Sequence, residues 1–484
     1  MNKVIKNLFW KFGERILAQG VTFVVSIILA RLLDPTDYGA VAIVVTFITL
    51  ANVFVTCGFG TALIQKKDAD RLDFSSILII NVIIGIGIYV LIYFLAPLIS
   101  DFYNMDLTNV FRVLALKIPL ASINSVQQAY VARRMEFKKF FWSTSIGTIT
   151  SAGVGIALAF GGFGVWALVF QYLVNSFIDT IVLTIIIRKF PGWKVSFDRV
   201  KVLLRFGLPI LLSNLLYNFC NELSNLIIGK KYSSEDLAFF SKGKQLPHLV
   251  VNNISVSVSS VLFPALSKFQ DDRVVLLDKM RKSMKMSCYL MTPLLMGLIV
   301  VAEPTINLLL TEKWLFCVPY LQLFCIFYLF QPIQTSNLEA LKAIGESKLV
   351  LKLEIIKRIS QIVILLISLN FGVLGIAIGN VIASFIRSFI NAFPNKKLFN
   401  YSYIQQILDL LPTFLITAVM CGIVYIIGLI NLPDIVLLII QVVVGFIVYL
   451  FLSIVTKNDS YIYIKGQIMK IFNFGRKENE DGNK

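Results

Sequence analysis

The sequence predicts an all-α polytopic membrane protein with about 14 transmembrane helices, and three observations lead to this fold class. Apolar residues make up 57% of the 484 residues and charged residues only 15%, whereas soluble domains average about 25% charged residues. The mean hydropathy is +0.79. The apolar residues recur in blocks of about 20, which is the length of one bilayer crossing. These observations exclude a soluble enzyme, a disordered chain and a secreted disulfide scaffold.

The apolar blocks, taken in order along the chain, give fourteen predicted spans. They lie at 12–33, 39–59, 76–98, 110–131, 140–160, 163–187, 204–229, 236–264, 286–310, 316–340, 349–369, 372–393, 408–429 and 433–455. The connections Gly161-Gly162 and Asn370-Phe371 are so short that each predicts a hairpin of two helices. The polar residues 456–484 form a predicted tail.

The distribution of basic side chains predicts which side of the membrane each connecting segment lies on. Of the 45 Lys and Arg residues, 35 fall in segments on the side of the N-terminus, four on the other side and six inside spans. Cytoplasmic loops carry such an excess, so both termini are predicted to be cytoplasmic. The formal net charge of +17 lies in short loops between spans, so it does not predict a nucleic-acid partner. Six cysteines without a CxxC pair and a single histidine predict neither a metal site nor a cofactor.

An internal repeat relates spans one to six to spans seven to twelve. Phe163–Ile178 matches Phe371–Ile386 at an offset of 208 residues, and Ala132–Lys139 faces Leu341–Lys348 at an offset of 209. An even number of spans gives both halves the same orientation, a plan in which transporters enclose a central cavity and rock one half against the other. The predicted organisation is an N-lobe at 1–190, a C-lobe at 191–400, two further spans at 401–455 and a cytoplasmic tail at 456–484.

Polar residues inside the spans predict the lining of that cavity, because polar groups that face lipid are costly. Their spacing of three to four residues places them on one face of each helix. The predicted polar lining consists of Asn214, Asn218, Asn221, Asn225, His248, Asn252, Asn124 and Gln127. Hydrogen bonding between helices is the alternative role for such residues.

Basic residues embedded in the spans predict an anionic substrate group, such as a phosphate. Arg112, Lys117, Lys242 and Lys244 lie in the outer halves of their spans, where the charge rule disfavours them. Snorkelling to lipid headgroups is the alternative, and it suffices for Arg31 at the outer end of span one. The predicted substrate-binding cations are Arg112, Lys117, Lys242, Lys244, Arg31 and, on the cytoplasmic side, Arg15.

Six acidic residues are predicted to be buried: Glu14, Asp179, Glu222, Glu303, Glu339 and Glu354. Glu222 has no cation in its own span, so it is the candidate carboxylate for proton or sodium coupling, with a structural role equally open. Glu354 is expected to pair with Lys357 and Arg358 at helical spacing. The chain contains no GxxxxGK[ST] loop, no HExxH motif and no nucleophile elbow, so no enzymatic activity is predicted.

Several motifs carry a family resemblance. They are Ala30–Gly39 (ARLLDPTDYG), Gly60–Lys66 (GTALIQK), Phe163–Leu168 (FGVWAL), Phe206–Pro209 (FGLP), Ser259–Ser267 (SSVLFPALS), and Glu312–Trp314 (EKW) followed by Val318-Pro319. Through them the chain, from about Phe12 to Phe393, resembles the polysaccharide-transport branch of the multidrug/oligosaccharidyl-lipid/polysaccharide flippase superfamily, which includes lipopolysaccharide-biosynthesis and teichuronic-acid-exporter-like proteins.

This resemblance implies a flippase for undecaprenyl-pyrophosphate-linked oligosaccharide units in the bacterial inner membrane. It implies alternating access, with proton or sodium coupling proposed for some members of the family. The implied partners are the lipid-linked oligosaccharide with its anionic pyrophosphate, membrane lipids and polysaccharide-assembly proteins.

Three other functions are weighed against the flippase. A multidrug or small-molecule ion-coupled antiporter of the same superfamily would need an acidic cleft, whereas the candidate residues here are mainly basic. A membrane polymerase or ligase would need a long outer loop bearing Arg and His. A scaffold without transport activity would not need cations buried in its spans.

Overall fold

The computed structural model describes residues 3–56, 58–66, 68–187, 194–430 and 432–466, and these residues are almost entirely helical, without a strand among them. The α-helices are α1 Lys3–Leu32, α2 Pro35–Thr56, α3 Phe59–Gln65, α4 Arg71–Tyr103, α5 Thr108–Leu114, α6 Lys117–Arg133, α7 Phe137–Phe160, α8 Val165–Ile187, α9 Phe197–Lys231, α10 Ser234–Ser267, α11 Arg273–Val300, α12 Ala302–Leu310, α13 Val318–Leu329, α14 Gln331–Ala343, α15 Ser347–Ser368, α16 Gly372–Ala392, α17 Asn395–Phe399, α18 Tyr403–Gly428 and α19 Asp434–Val455. Two short 3-10 turns, Glu312–Cys317 and Leu369–Phe371, precede α13 and α16.

The predicted fold class is confirmed: the chain is an all-α protein with many membrane spans. In the part of the chain that the structure describes, eleven helical segments are long and apolar enough to cross a membrane, or twelve with the bent α9. One of the eleven, Lys348–Phe399, contains the predicted hairpin of α15 and α16. Every predicted span falls on helix, although the number of fourteen crossings stays a prediction. Of the predicted tail, residues 467–484 lie outside the described residues.

Three predicted spans are each divided into two helices, which corrects the expectation of one continuous helix. The divided spans are 110–131, 286–310 and 316–340, and the breaks lie near Ala115, Val301 and Phe330. A proline follows each break in the first turn of the next helix, and these prolines are Pro119, Pro304 and Pro332. Proline has no N–H to donate to the preceding turn but fits the first turn of a helix, so the chain breaks just before it.

The chain forms two compact units, Met1–Ala238 and Phe239–Lys484. Helices α1–α9 lie in the first unit and α11–α19 in the second, and α10 begins at the end of the first. The predicted boundary between lobes, at 190/191, lies outside the described residues, so the lobes stay a prediction. Of the six cysteines, Cys57 is also outside the described residues, and the other five are buried thiols.

Two turns carry the signature of the internal repeat. Met135, between α6 and α7, and Gly345, between α14 and α15, have positive φ angles of 55° and 80°. In both turns the N–H of the following glutamate donates to the carbonyl five residues earlier, at 3.1 Å. This pairing closes the end of a helix in the left-handed conformation. The turns are therefore equivalent at an offset of 210 residues, one more than the sequence match gives at this place.

A buried ion pair fixes the starts of α4 and α9. The carboxylate of Asp73 has no exposed surface and lies 2.7 Å from the Lys66 ammonium and 3.5 Å from the Arg199 guanidinium. Asp70 caps α4 through two backbone N–H groups and lies 2.6 Å from Arg199. The hydrogen bond from Arg199 and those from the α4 backbone lower the pKa of the Asp70 carboxyl to about 2.

Glycines bring backbones together at two places in the first unit. A Cβ atom on Gly39, in α2, would fall on the carbonyl group of Ser234, the first residue of α10. A Cβ atom on Gly58 would lie 2.6 Å from the carbonyl oxygen of Gly207. Gly58 has a φ of 98° at the break between α2 and α3, and α9 bends by 49° just before Gly207. Two helix discontinuities therefore touch backbone to backbone.

Candidate functional site

Among the predicted cations, the surroundings of Lys117 fit an anion site best. Lys117 begins α6, and its ammonium nitrogen lies 5.4 Å from the centre of the Tyr172 ring on α8. Within the described residues, no carboxylate lies within 4.0 Å of this nitrogen. Lys117 is half-buried, and a tyrosine ring offsets only part of its positive charge, so an anionic group would be a favourable partner here.

Two tyrosines accompany Lys117, and neither is among the residues predicted from the sequence. Tyr172 exposes 38% of its surface, and Tyr38 of α2 lies close enough to interact with it electrostatically. The Tyr38 hydroxyl lies 3.5 Å from the carbonyl oxygen of Ser26. Phenol hydroxyls can donate hydrogen bonds to phosphate oxygens. Tyr38 belongs to the ARLLDPTDYG motif, which could have indicated it, whereas no sequence signal pointed to Tyr172.

Arg112 contacts a different helix from Lys117. Its guanidinium lies 4.3 Å from the centre of the Tyr93 ring on α4, and its Nε donates to the Tyr93 carbonyl at 3.4 Å. The break between α5 and α6 separates the two cations, so Arg112 contacts α4 and Lys117 contacts α8. Arg31 is exposed at the end of α1, and Arg15 is half-buried on the same helix, beside Glu14.

The predicted cations of the second unit differ in accessibility. Lys242 is 7% exposed, and its ammonium nitrogen lies 5.6 Å from the centre of the Trp314 ring. Lys244 is half-buried, one helical turn before the exposed His248. The His248 ring lies 6.1 Å from the ring of Tyr328, measured between centres. Lys244 is thus more accessible to a substrate than Lys242.

The polar face of α9 centres on Glu222. This carboxylate accepts hydrogen bonds from the Asn225 amide at 2.7 Å and from the Thr46 hydroxyl of α2 at 3.3 Å. Both donors are neutral, and no cation lies within 4.0 Å of Glu222 among the described residues. Asn214 and Asn218 each donate to a carbonyl four residues earlier in α9, which leaves their side-chain oxygens available. Asn221 and Asn252 are half-buried.

The two polar residues of α6 have different surroundings. Gln127 is fully buried and donates to the Thr184 hydroxyl of α8 at 2.6 Å, so it connects two helices. Asn124 donates to the Asp179 carboxylate of α8 at 2.9 Å. Asp179 in turn lies close enough to Glu14 of α1 to repel it. Asp179 and Glu14 form a second acidic centre, whereas the sequence predicts them only as separate buried acids.

The predicted ion pair of Glu354 is confirmed. Its carboxylate lies 2.5 Å from the Lys357 ammonium and 3.7 Å from the Arg358 guanidinium. Glu339 pairs with Lys342 at 3.1 Å. These acids are therefore compensated within their own helices, unlike Glu222.

The second unit contains a groove between α11, α18 and α19, with a volume of about 860 Å³. Its walls are almost entirely apolar, and Tyr461 and Lys465 contribute to its lining beyond the end of α19. The groove includes the two predicted spans that lie outside the internal repeat. Gly297 and Gly445 belong to its lining. A Cβ atom would lie 3.7 Å from the Met420 terminal methyl at Gly297, but only 3.2 Å from a Val424 methyl at Gly445.

Comparison with proteins of known sequence gives relatives from bacterial polysaccharide synthesis. A membrane protein of the cps region of Klebsiella pneumoniae is 28% identical over 389 residues, covering 78% of this chain and 79% of that protein. The lipopolysaccharide biosynthesis protein WzxC of Escherichia coli is 26% identical over 425 residues, 85% of each chain. The succinoglycan biosynthesis transport protein ExoT of Rhizobium meliloti is 26% identical over 325 residues, 66% of this chain and 65% of that one.

Solved structures share the fold. The lipid II flippase MurJ in an inward closed conformation aligns with a TM-score of 0.76 at 18% identity, covering 94% of this chain and 99% of that one. An inward-facing multidrug resistance transporter of the MATE family, from the MOP superfamily, aligns with a TM-score of 0.62 at 16% identity, covering 84% and 94%. At this identity the similarity defines the fold and no activity.

A family model described as "polysaccharide biosynthesis protein" matches residues 28–319, more than half of the chain. The match begins in α1 and ends in the first turn of α13. It includes Lys117, Tyr38, Tyr172 and the polar face of α9. The chain therefore belongs to the polysaccharide biosynthesis protein family.

Proposed function

We propose that this protein is a flippase that moves an oligosaccharide linked to undecaprenyl pyrophosphate across the bacterial inner membrane. It works by alternating access, keeps both termini in the cytoplasm and catalyses no reaction. Family membership supports this proposal, as do relatives whose names include a succinoglycan biosynthesis transport protein and a lipopolysaccharide biosynthesis protein. The observation that carries it is the ammonium group of Lys117, which has no carboxylate within 4.0 Å in the part of the chain that the structure describes.

The charge of the cargo follows from Lys117. Even partial burial of an ammonium group costs free energy unless a counter-charge offsets it. A diphosphate supplies that charge when the substrate binds, and the hydroxyl of Tyr172 adds a donor for its oxygens. Lys244 is the corresponding candidate in the second unit. The alternative function, export of cationic drugs, would place a positively charged cargo beside the ammonium group of Lys117, which has no carboxylate within 4.0 Å among the described residues.

A translocation assay in proteoliposomes tests the proposal. Purified protein is reconstituted with a fluorescent trisaccharide on polyprenyl pyrophosphate, and a membrane-impermeant enzyme reports the labelled sugar that reaches the other leaflet. We expect faster translocation than in protein-free vesicles and no uptake of ethidium against a gradient. Ethidium transport without movement of the lipid-linked sugar would instead identify a drug antiporter.

The apolar groove supplies a place for the isoprenoid chain of this substrate. Its volume of about 860 Å³ lies within the range of pockets that enclose whole ligands, and its lining matches the chemistry of a hydrocarbon chain. Burial of each methylene group contributes about 0.8 kcal/mol in water, and less from lipid. The groove therefore contributes more to the position of the isoprenoid chain than to the affinity of the protein for the substrate.

Filling the groove is expected to slow translocation severalfold without loss of folded protein. In Gly297→Phe, the new ring occupies the space in front of Met420, whose terminal methyl lies 3.7 Å from where a Cβ would stand. The matched control is Gly422→Phe on α18, because no atom lies within 4 Å of a Cβ built there. Equal translocation rates for both variants in the proteoliposome assay would contradict a role for the groove.

Glu222→Gln is expected to remove the stimulation of transport by a proton or sodium gradient. Glutamine keeps the shape of the side chain and can still accept from Thr46 and Asn225, but it cannot release a proton or attract a cation. Translocation down a substrate gradient should persist. The matched variant is Asp179→Asn in the second acidic centre. If Asp179→Asn abolished the gradient dependence and Glu222→Gln left it intact, coupling would belong to Asp179.

A further inference from the structure

A separate cavity lies where α12, α18 and α19 meet, in the second unit. Its volume is about 360 Å³. The candidate spans of α18 and α19 end at Gly428 and begin at Asp434, and both residues line the cavity. The cavity therefore opens at one boundary between membrane and water. It shares Gln441 with the lining of the apolar groove, and its other lining residues lie outside that groove.

Two carboxylates line this cavity, those of the exposed Glu303 and the half-buried Asp434. Among the described residues, neither Glu303 nor Asp434 has a Lys or Arg nitrogen within 4.0 Å. Asn307 lies one turn after Glu303 on α12 and donates its amide to Asp434 at 2.7 Å. This bond brings the start of α19 against α12 and places both negative charges at one cavity. An uncompensated pair of charges of the same sign favours a bound cation.

A buried acceptor lies deeper in the same cavity. Gln441, two turns after Asp434 on α19, is 3% exposed, and its Oε1 has no hydrogen-bond partner. Its Nε2 donates to the Val424 carbonyl of α18 at 3.1 Å, which fixes which end of the amide is left unpaired. An unpaired buried acceptor is destabilising, so a donor supplied by a ligand would stabilise this one.

The remaining lining selects among cations. Leu315, Leu429 and Leu437 form apolar walls, and the exposed ring of Tyr425 can face a positive charge. The volume is larger than one coordinated ion needs. The lining therefore fits a small molecule with apolar carbons and N–H donors better than a bare metal ion.

We propose that this cavity binds a primary ammonium compound, whose charge is offset by Glu303 and Asp434 and whose N–H groups donate to the Gln441 side-chain oxygen. The ammonium chemistry is shared by two sources that reach a membrane boundary: the headgroup of an aminophospholipid and a free soluble amine. The site shares only Gln441 with the groove assigned to the isoprenoid chain, so binding of the amine is measured apart from translocation.

The test compares two probes of equal charge. Binding of n-butylammonium and of butyltrimethylammonium to the full chain in phosphatidylcholine nanodiscs is measured by calorimetry. The primary ammonium should bind about tenfold more tightly, because only it can donate a hydrogen bond to Gln441. Equal affinity for the two probes, or binding of neither, would overturn the proposal without any variant being needed.

Variants then assign the groups. Gln441→Leu should remove the difference between the probes, and Glu303→Gln should weaken both about tenfold. The matched control is Glu235→Gln at an exposed position of α10, which should change neither. An unchanged difference between the probes in Gln441→Leu would contradict the assigned acceptor. Repeating the measurement in phosphatidylethanolamine nanodiscs identifies the source: weaker binding of n-butylammonium there points to the lipid headgroup, and unchanged binding points to a free amine.

Discussion

Replacing Gly39 by alanine is expected to reduce sharply the yield and the thermal stability of folded protein. The added methyl group would occupy the position of the Ser234 carbonyl at the start of α10, and a backbone group cannot rotate away as a side chain can. Overpacking of this kind typically costs about 1–3 kcal/mol, and more when a helix must shift. The measurement is the amount of monodisperse protein in detergent together with its unfolding temperature.

Gly20→Ala on α1 is the matched control for this substitution. No atom lies within 4 Å of a Cβ built on Gly20, and alanine favours a helix over glycine by up to about 1 kcal/mol. The control should match or exceed the unsubstituted protein in stability. If Gly39→Ala were as stable as Gly20→Ala, the close crossing of α2 and α10 would be wrong.

Lys117→Ala is expected to reduce polysaccharide export at least tenfold while the protein level stays unchanged. Hydrogen bonds to charged groups contribute about 1.5–3 kcal/mol, and each 1.4 kcal/mol corresponds to a factor of ten. Lys117→Arg keeps the charge and should retain part of the activity. The readouts are surface polysaccharide in cells and translocation in proteoliposomes.

The control for Lys117 is Lys282→Ala. Lys282 is also a lysine on a long helix, but its side chain is 55% exposed and paired with Asp278 at 2.7 Å. Surface ion pairs of this type contribute little, so export should be unchanged. Normal polymer from Lys117→Ala would remove the phosphate-binding role from this residue.

Much of the fold could be predicted from the sequence because hydropathy reports which segments can cross a bilayer. The predicted spans all fall on helices, and the pairing of Glu354 with Lys357 follows from helical spacing alone. The breaks at Ala115, Val301 and Phe330 were not predicted, because a proline in the next helix changes few hydropathy values. The left-handed residue Met135 was also missed, since only its glycine counterpart Gly345 carries a sequence signal.

The candidate site could be predicted less well, because the role of each of its residues depends on side chains from helices that are far apart in the sequence. The sequence indicates Lys117 as a buried cation, but its partner Tyr172 belongs to another helix and follows no motif. Arg112 and Lys117 lie within one predicted span, yet the helix break directs them to α4 and α8. Glu14 and Asp179 are far apart in sequence, and packing alone brings them together.

The contact between Gly58 and Gly207 has a mechanical consequence. Side chains that interlock resist rotation, because each must leave its rotamer or its neighbour before a helix can turn. Here two backbones meet with no side chain between them, at the points where both helices are already interrupted. We expect the part of α9 from Gly207 onward, which carries Glu222, to change its tilt about this contact. The part before the bend, which Arg199 ties to the start of α4, should keep its position.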